Sequence, residues 1–409
     1  MASTKTIACV LGDMDLVRPL GLAGVSCAVM ARPGAAPRYS RFTRTALNWA
    51  DAWEHEEELV ETLVRFGSTE REPPVLFYES DGELLVISRH RERLRQFFRF
   101  VIADAALVED LVDKARFQDL AKRLALPVPA ARHLQPSAEV SADVLDLSFP
   151  VIVKPLVRHP RIWKTVAKTG KAMRVETPEE LRRLWPMLAA SGVDFLAQEL
   201  IPGPETLIES YHVYVDERGE TVGEFSGRKI RTYPREYGDS CALVITDEAD
   251  VLELGRELVK RLGLRGVAKF DFKRAPDGRL LLLEVNPRFS LWHHLGALAG
   301  VNLPALVYAD ATGLARPAVT SARPGVRWCR PWQDARAARQ WGVPLTRWLP
   351  WALSCEAKRV LAWDDPMAFV RAALWRAFPW PRRRAAKQEH RLFRPRVEAA
   401  RGSLPSAGE

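Results

Sequence analysis

VAKFDFKRAPDGRLLLLEVNPR, residues 267–288, is the stretch on which the reading of this chain turns. Pro276-Asp277-Gly278 is turn chemistry, and the runs on either side read as two strands, so the segment is expected to be a β-hairpin. Side chains alternate between faces along a strand. Asp271 and Glu284 on adjacent antiparallel strands can therefore face one side, and Asn286, two residues beyond Glu284, shares it. Two carboxylates and an amide oxygen suit a hard cation that keeps some waters and takes phosphate oxygens, namely Mg²⁺. The plain alternative is a solvated hairpin face with chance acids. A Glu-x-Asn directly behind four leucines, Leu280–Leu283, argues against it.

Three further features precede the hairpin in order. Asp113-Lys114 opens a helix; Pro150-Val-Ile-Val-Lys154-Pro155 is a buried strand ending in a lysine; and Gln198-Glu-Leu-Ile-Pro-Gly-Pro-Glu205 closes another strand in a tight turn. The Lys154 ammonium should emerge at the edge of an otherwise apolar strand, where a compact charge can meet phosphate. Lys114 or Lys154 alone would read as an ordinary solvated residue; together, at this separation, they favour a nucleotide. Lys229 and Arg231, in Gly227-Arg-Lys-Ile-Arg231, alternate on a strand-like segment and are expected on one face.

Taken in this order, the four features resemble the ATP-grasp superfamily of ligases, and within it the carboxylate–amine ligases of the D-aspartate ligase kind, over roughly residues 104–315. The resemblance implies an α/β architecture in four parts: a pre-ATP-grasp α/β domain at 1–103, the two ATP-grasp lobes at 104–190 and 191–317, and a helical, basic, Trp-rich extension at 318–409. It makes Asp271, Glu284 and Asn286 the ligands of Mg²⁺, and Lys114 and Lys154 the lysines on the phosphates of ATP. Glu199, Leu200 and Ile201 become the hinge whose backbone bonds the adenine edge, and Glu205 the carboxylate that accepts the ribose hydroxyls. Lys229 would reach the phosphates. Lys269 stands where related ligases carry an arginine that steadies the transferring phosphoryl group, and Arg288 would contact phosphate or a substrate carboxylate.

The activity implied is ligation of a small carboxylate, such as an amino acid, to an amine through an acyl phosphate, with release of ADP and phosphate. Such catalysis rests on positioning and electrostatics and needs no Ser or Cys nucleophile. A phosphotransferase on the same fold, and a non-catalytic nucleotide-binding regulator, are the alternatives. One departure from the family pattern stands out. The segment Leu156–Met173, where a glycine-rich phosphate flap is usual, holds one glycine (Gly170) and the bases Arg158, His159, Arg161, Lys164, Lys168 and Lys171. No Walker A sequence and no Gly-x-Gly-x-x-Gly surround the first strand, so P-loop and dinucleotide readings fail.

The first hundred residues open as a βαβ unit, with Ile7–Leu11 and Val25–Met30 as strands. Helices are expected over Asn48–Phe66 and Arg89–Val101. Asp13, Met14 and Arg18 follow the first strand, where parallel sheets bind ligands, and the loop Asp239-Ser240 is placed to reach the acceptor. His293-His294 could line the acceptor site, although helix residues of no catalytic role are the more ordinary reading.

Composition narrows the rest. The chain has 409 residues and a formal net charge of +9. The segment from Ala318 to Glu409 alone carries 18 Lys and Arg against seven Asp and Glu, so the preceding body is nearly neutral. The same segment holds eight of the 13 tryptophans. Asp365-Pro366 is expected to start a helix with Met367, Val370 and Leu374 on one face and Arg371 and Arg376 off it. The extension could pack its tryptophans on the body or meet an anionic membrane or polymer; no nucleic-acid partner is expected, and a homodimer is compatible. Five scattered cysteines with no Cys-x-x-Cys pair, no leader pattern and no apolar run of membrane length suit a cytoplasmic protein with reduced thiols.

Overall fold

The structure, a computed structural model, describes residues 6–137, 146–156 and 170–378. Its first sheet is parallel, in the order β3 (Thr43–Leu47), β2 (Cys27–Met30), β1 (Ala8–Leu11), β4 (Val75–Tyr78). Every residue of β1, β2 and β4 is buried, as expected of a parallel sheet covered on both faces. Alternation divides them cleanly: Cys9, Leu11, Ala28 and Met30 enter one core, while Ala8, Val10, Cys27 and Val29 enter another. The helix expected over Asn48–Phe66 begins only at Glu56, because the Asp51 carboxylate accepts from Trp53 N at 3.0 Å and folds residues 51–54 into a turn. The helix expected at Arg89–Val101 is replaced by Asp81–Arg89 and a one-turn helix, Arg91–Arg95. Its true start is a capping box, in which the Ser80 hydroxyl accepts from Glu83 N and the Glu83 carboxylate accepts from Ser80 N.

A second, antiparallel sheet follows in the order β5 (Ala131–Leu134), β8 (Phe195–Glu199), β6 (Val151–Pro155), β7 (Met173–Val175). The helix Pro178–Ala190 packs on it, begun by Thr177, whose hydroxyl accepts from Glu180 N, with Pro178 in the first turn. This lobe has a small core of its own, built on Val151, Val153, Leu181, Leu188, Phe195 and Ala197.

The third sheet is the largest: β13 (Leu280–Asn286), β12 (Gly266–Arg274), β9 (Ile208–Val215), β10 (Thr221–Tyr233), β11 (Asp239–Thr246), β14 (Arg327–Cys329), β15 (Ala357–Lys358). The interior strand β9 is buried along its whole length. Tyr211, Val213 and Phe270 join the core that receives Cys9 and Leu11; Tyr214, Phe225 and Leu243 join the core that receives Val10 and Val29. The first and third sheets are thus welded through two shared cores, whereas the second sheet stands on its own core, and a cleft opens beside it.

The C-terminal extension is helical, with Pro331–Gln340, Leu345–Ser354 and Pro366–Ala377, and it also supplies β14 and β15 to the large sheet. Its anchors are polar and aromatic. Trp328 is buried and donates from Nε1 to Asp15 Oδ1 at 2.8 Å. Arg231 makes two 2.7 Å bonds to the buried Asp334 and lies under the Trp351 ring. Trp375 covers Gly34 so closely that a Cβ there would collide with its indole. Most of the Trp content therefore packs inward. Trp380 and the Arg382–Arg384 run lie outside the described residues.

Candidate active site

A cleft of about 370 Å³ lies between the second sheet, the third sheet and the carboxyl edge of β4. Lys114, Lys154, Glu199, Leu200, Ile201, Glu205, Lys229, Lys269, Asp271, Glu284, Asn286 and Arg288 all line it. These twelve residues come from five strands, two helix starts and a turn, so the fold brings together what the sequence holds 174 positions apart at its extremes.

The hairpin forms as its turn dictates, with Asp271 directly opposite Glu284 and Lys269 opposite Asn286. Asp271 is buried, accepts from Ser210 Oγ at 2.5 Å, and has Lys269 Nζ 2.5 Å from its other oxygen. Asn286 donates from Nδ2 to Glu284 Oε1 at 3.1 Å, and its own Oδ1 accepts from Arg288 at 3.1 Å. Burial pushes the Glu284 carboxyl upward, but Lys269, the Asn286 amide, Lys114 and Lys154 outweigh it and hold the group well below the usual carboxylate range. Glu284 is therefore ionised. Among the described residues no three of His, Cys, Asp and Glu gather as a metal cage. The set here is two carboxylates and an amide, all oxygen donors, at a spot where positive charge already collects. That chemistry fits Mg²⁺, which binds few protein oxygens and completes its shell with water and phosphate.

The two lysines across the cleft are held by neutral oxygens. Lys154 donates to Gln198 Oε1 and Lys114 to the carbonyl of Leu156, both at 2.9 Å. Asp113 caps the helix Lys114–Arg123 by accepting from Ala115 N and Arg116 N, which fixes the start that carries Lys114. Burial, reinforced by Lys114 and opposed by Glu284, lowers the Lys154 ammonium to about 8. An anion arriving between the lysines would offset both the desolvation of the Lys154 ammonium and the mutual repulsion.

The hinge segment shows which backbone groups are spent. Glu199 N donates to Ala130 O at 2.9 Å and Leu200 N to Pro150 O at 3.1 Å. Successive residues point to opposite strand neighbours, so the Glu199 carbonyl and the Ile201 N–H face away from β6; neither is engaged by a described residue. A donor–acceptor pair of that spacing matches the edge of an adenine. The Glu199 carboxylate itself accepts from Ser148 N at 2.7 Å and serves the lobe. Glu205 opens the turn Glu205–Leu207, and Lys273 donates to Gly203 O at 2.8 Å, clamping this turn to β12.

Several sequence expectations change. Arg231 does not share the cleft with Lys229: the β10–β11 register shifts between them, and Arg231 turns into the Asp334 pair. Asp13 and Arg18 serve the extension, pairing with Arg359 and Asp364. His293 and His294 are buried and pushed down to about 3 by desolvation, so they are neutral core residues. Of the flap, Arg158, His159, Arg161, Lys164 and Lys168 lie outside the described residues. Lys171 is described: its N–H reaches Tyr237 O at 2.8 Å and its ammonium Asp239 at 2.9 Å, bridging the two lobes.

Sequence reasoning missed Glu79, Asp81, Ser290 and Arg330, all of which line the cleft. Glu79 and Asp81 follow β4, at the same carboxyl edge as Asp13 follows β1, and Asp81 bonds Arg288 at 2.5 Å. Applying the strand-edge rule to β4 as well as β1 would have found them. Arg330 follows β14 directly and its N–H donates to Cys241 O at 2.8 Å. Arg330 Nε and Ser290 Oγ are buried with no partner among the described residues.

Comparison with known proteins places this architecture. Residues 194–330 match the family described as "ATP-grasp in the biosynthetic pathway with Ter operon". The D-aspartate ligase of Enterococcus faecium is 24% identical over 351 residues, covering 82% of this chain and 81% of that protein. The D-alanine–D-alanine ligase of Ectopseudomonas mendocina is 31% identical over 185 residues, covering 43% of this chain; the chain spans 55% of that ligase. Among solved structures, an ADP complex of N5-carboxyaminoimidazole ribonucleotide synthetase superposes with a TM-score of 0.59 at 16% identity, over 78% of this chain and 80% of that one. The L-amino acid ligase of Bacillus licheniformis gives a TM-score of 0.57 at 16% identity, over 76% and 75%. The chain has the ATP-grasp fold, carries an ATP-grasp domain and is related to ATP-grasp ligases.

Proposed function

We propose that this ATP-grasp enzyme is a carboxylate–amine ligase that converts ATP to ADP and phosphate while forming an amide. The observation that carries the reading is the single cleft in which the Lys114/Lys154 pair faces the Asp271/Glu284/Asn286 oxygens, with unspent hinge backbone at Glu199 and Ile201. Residues 104–190 and 191–317 are the lobes that clasp the nucleotide in this reading, and residues 1–103 wall the substrate end.

Adenine lies against the Glu199 carbonyl and Ile201 N–H, and Glu205 accepts the ribose hydroxyls. Lys114, Lys154 and Lys229 neutralise the phosphates. Asp271, Glu284 and Asn286 would hold Mg²⁺, which would supply positive charge to the phosphate oxygens. A substrate carboxylate oxygen attacks the γ-phosphorus, the bond to the β-phosphate oxygen breaks, and ADP and an acyl phosphate result. Lys269 and Arg288 stabilise the oxygens of the phosphoryl group in flight. An amine then adds to the acyl carbon and expels phosphate, giving the amide. Each step needs charge placed in advance, and the cleft supplies it.

The acceptor end is set by Glu79, Asp81, Ser240, Ser290 and Arg330. Acids near the mouth of β4 suit an ammonium, and the unpartnered Arg330 Nε and Ser290 Oγ mark where a carboxylate would find donors. An amino acid carries both groups. The described residues contain no helix long and apolar enough to cross a membrane, and the five cysteines are buried free thiols, in keeping with a cytoplasmic enzyme. Incubating the protein with Mg-ATP and a panel of amino acids, then weighing the products, tests the reading. ADP with a conjugate lighter than its two parts by one water supports it. A phosphorylated acceptor as the end product sinks it in favour of phosphotransfer.

A further inference from the structure

The C-terminal extension does more than pack on the body. Among the described residues, nine of the thirteen large apolar side chains left exposed fall between Trp332 and Phe378. They are ordered. Leu345, Leu349 and Leu353 recur every fourth position along the helix Leu345–Ser354 and are 52–66% exposed. Met367, Val370, Leu374 and Phe378 form a second stripe along the helix Pro366–Ala377 and beyond its end. Trp363, in the chain between the two helices, is 99% exposed, and Trp332 is 73% exposed. Apolar exposure gathered into helical stripes within one short stretch of chain marks a surface that meets something.

The charge around these stripes has one sign. Each acid of the described extension is already engaged: Asp334 by Arg231, Asp364 by Arg18, Asp365 by the Ser40 hydroxyl and Arg41 N–H, and Glu356 by the Arg327 N–H. Arg336, Arg339, Arg347 and Arg371 are exposed, with no acidic partner among the described residues. Arg371 lies one position from Val370 and flanks its stripe; Arg347 lies between Leu345 and Leu349 in sequence and rims theirs. What faces outward is therefore mainly apolar and cationic: of the acids, Glu356 and Asp364 reach the surface, the first held by a backbone N–H and the second by Arg18.

We propose that this surface docks the enzyme on an anionic phospholipid membrane. Leucines, methionine and phenylalanine enter the acyl boundary, Trp332 and Trp363 sit at headgroup depth, and the arginines meet lipid phosphates. Charge separates this occupant from the others. A second copy would bring the same arginines face to face. The chain's own residues 379–409 carry eight Lys and Arg against three Asp and Glu, so they share the sign of the surface and add to its attraction for an anionic bilayer. Among the described residues no helix is long and apolar enough to span a membrane, and the proposed association is peripheral and reversible.

Co-sedimentation of the full-length protein with phosphatidylcholine vesicles, with and without phosphatidylglycerol, tests this. The expected result is at least about tenfold stronger binding to the anionic vesicles, reversed by high salt. Leu349→Glu/Leu374→Glu and, separately, Arg371→Glu should each weaken that binding severalfold without changing ADP release in solution. Leu22→Glu, an exposed leucine in the first sheet's layer, should leave it unchanged. Equal binding to neutral and anionic vesicles, or none to either, overturns the proposal. So does a concentration-dependent dimer that Leu349→Glu/Leu374→Glu dissociates while vesicle binding persists. The single Arg371→Glu variant keeps the test decisive if the double variant fails to fold.

Discussion

Asp271 and Glu284 face each other directly across the β12–β13 pair, and Lys269 Nζ lies 2.5 Å from Asp271. One ammonium thus bridges into the acidic pair on the side where the Lys114/Lys154 pair looks in from the opposite lobe. Positive and negative groups are interleaved so that a polyphosphate and a dication can replace contacts the protein makes with itself.

Glu284 opens onto the cleft, desolvated by the surrounding walls yet reached by solvent, and is ionised, so its carboxylate can be neutralised without opening a core. Glu284→Gln should reduce ADP release by about 10²–10³-fold while the thermal midpoint and circular dichroism stay near those of the parent. Turnover within a factor of two of the parent would remove Glu284 from the site.

Lys154 gives the cleft a pH dependence with a definite sign. Its ammonium is lost near pH 8 in the free protein, below the ordinary lysine value of 10.5. Nucleotide binding favours the charged form, so ATP affinity should fall between about pH 7 and pH 9.5, by up to tenfold per unit, with proton uptake on binding at the upper end. Lys154→Arg, which stays charged, should flatten the profile. Calorimetry in buffers of different ionisation enthalpy measures the uptake directly; a flat profile in the parent contradicts the assignment.

The Arg231–Asp334 pair ties the extension to β10 through two 2.7 Å bonds at a fully buried carboxylate. Asp334→Ala leaves a buried guanidinium uncompensated and should cost about 3–5 kcal/mol in denaturant unfolding. A loss within experimental error would mean that the extension is not part of the cooperative unit.

Arg330 provides a substrate-side test. Arg330→Ala should raise KM for the carboxylate-bearing substrate about tenfold or more, with ATP affinity unchanged, because its buried Nε is left without a partner among the described residues at the proposed acceptor end of the cleft. An equal loss for ATP would place it among the nucleotide contacts.

The hairpin, the strand lysine and the hinge were legible in the sequence because period-two alternation and a Pro-Asp-Gly turn determine which residues share a face. Arg231 was not, since one register shift in β10 reverses the alternation after Lys229. Asp81 reaches Arg288 from 207 positions away along the chain, with 2.5 Å between its Oδ1 and Arg288 Nε. Nothing local signals such a meeting. β14 and β15 are three and two residues long, too short for any periodic pattern, so the extension read as helical alone. Its buried tryptophans and its exposed leucines have the same composition, and only packing separates them.

The central claim is transfer of the γ-phosphoryl group to a substrate carboxylate. Amino acids labelled with ¹⁸O in their carboxylates, supplied in pairs with Mg-ATP, test it most directly through the mass of the released phosphate. One labelled oxygen should appear in phosphate for each amide formed. Amide formation or ADP release with wholly unlabelled phosphate would contradict the account.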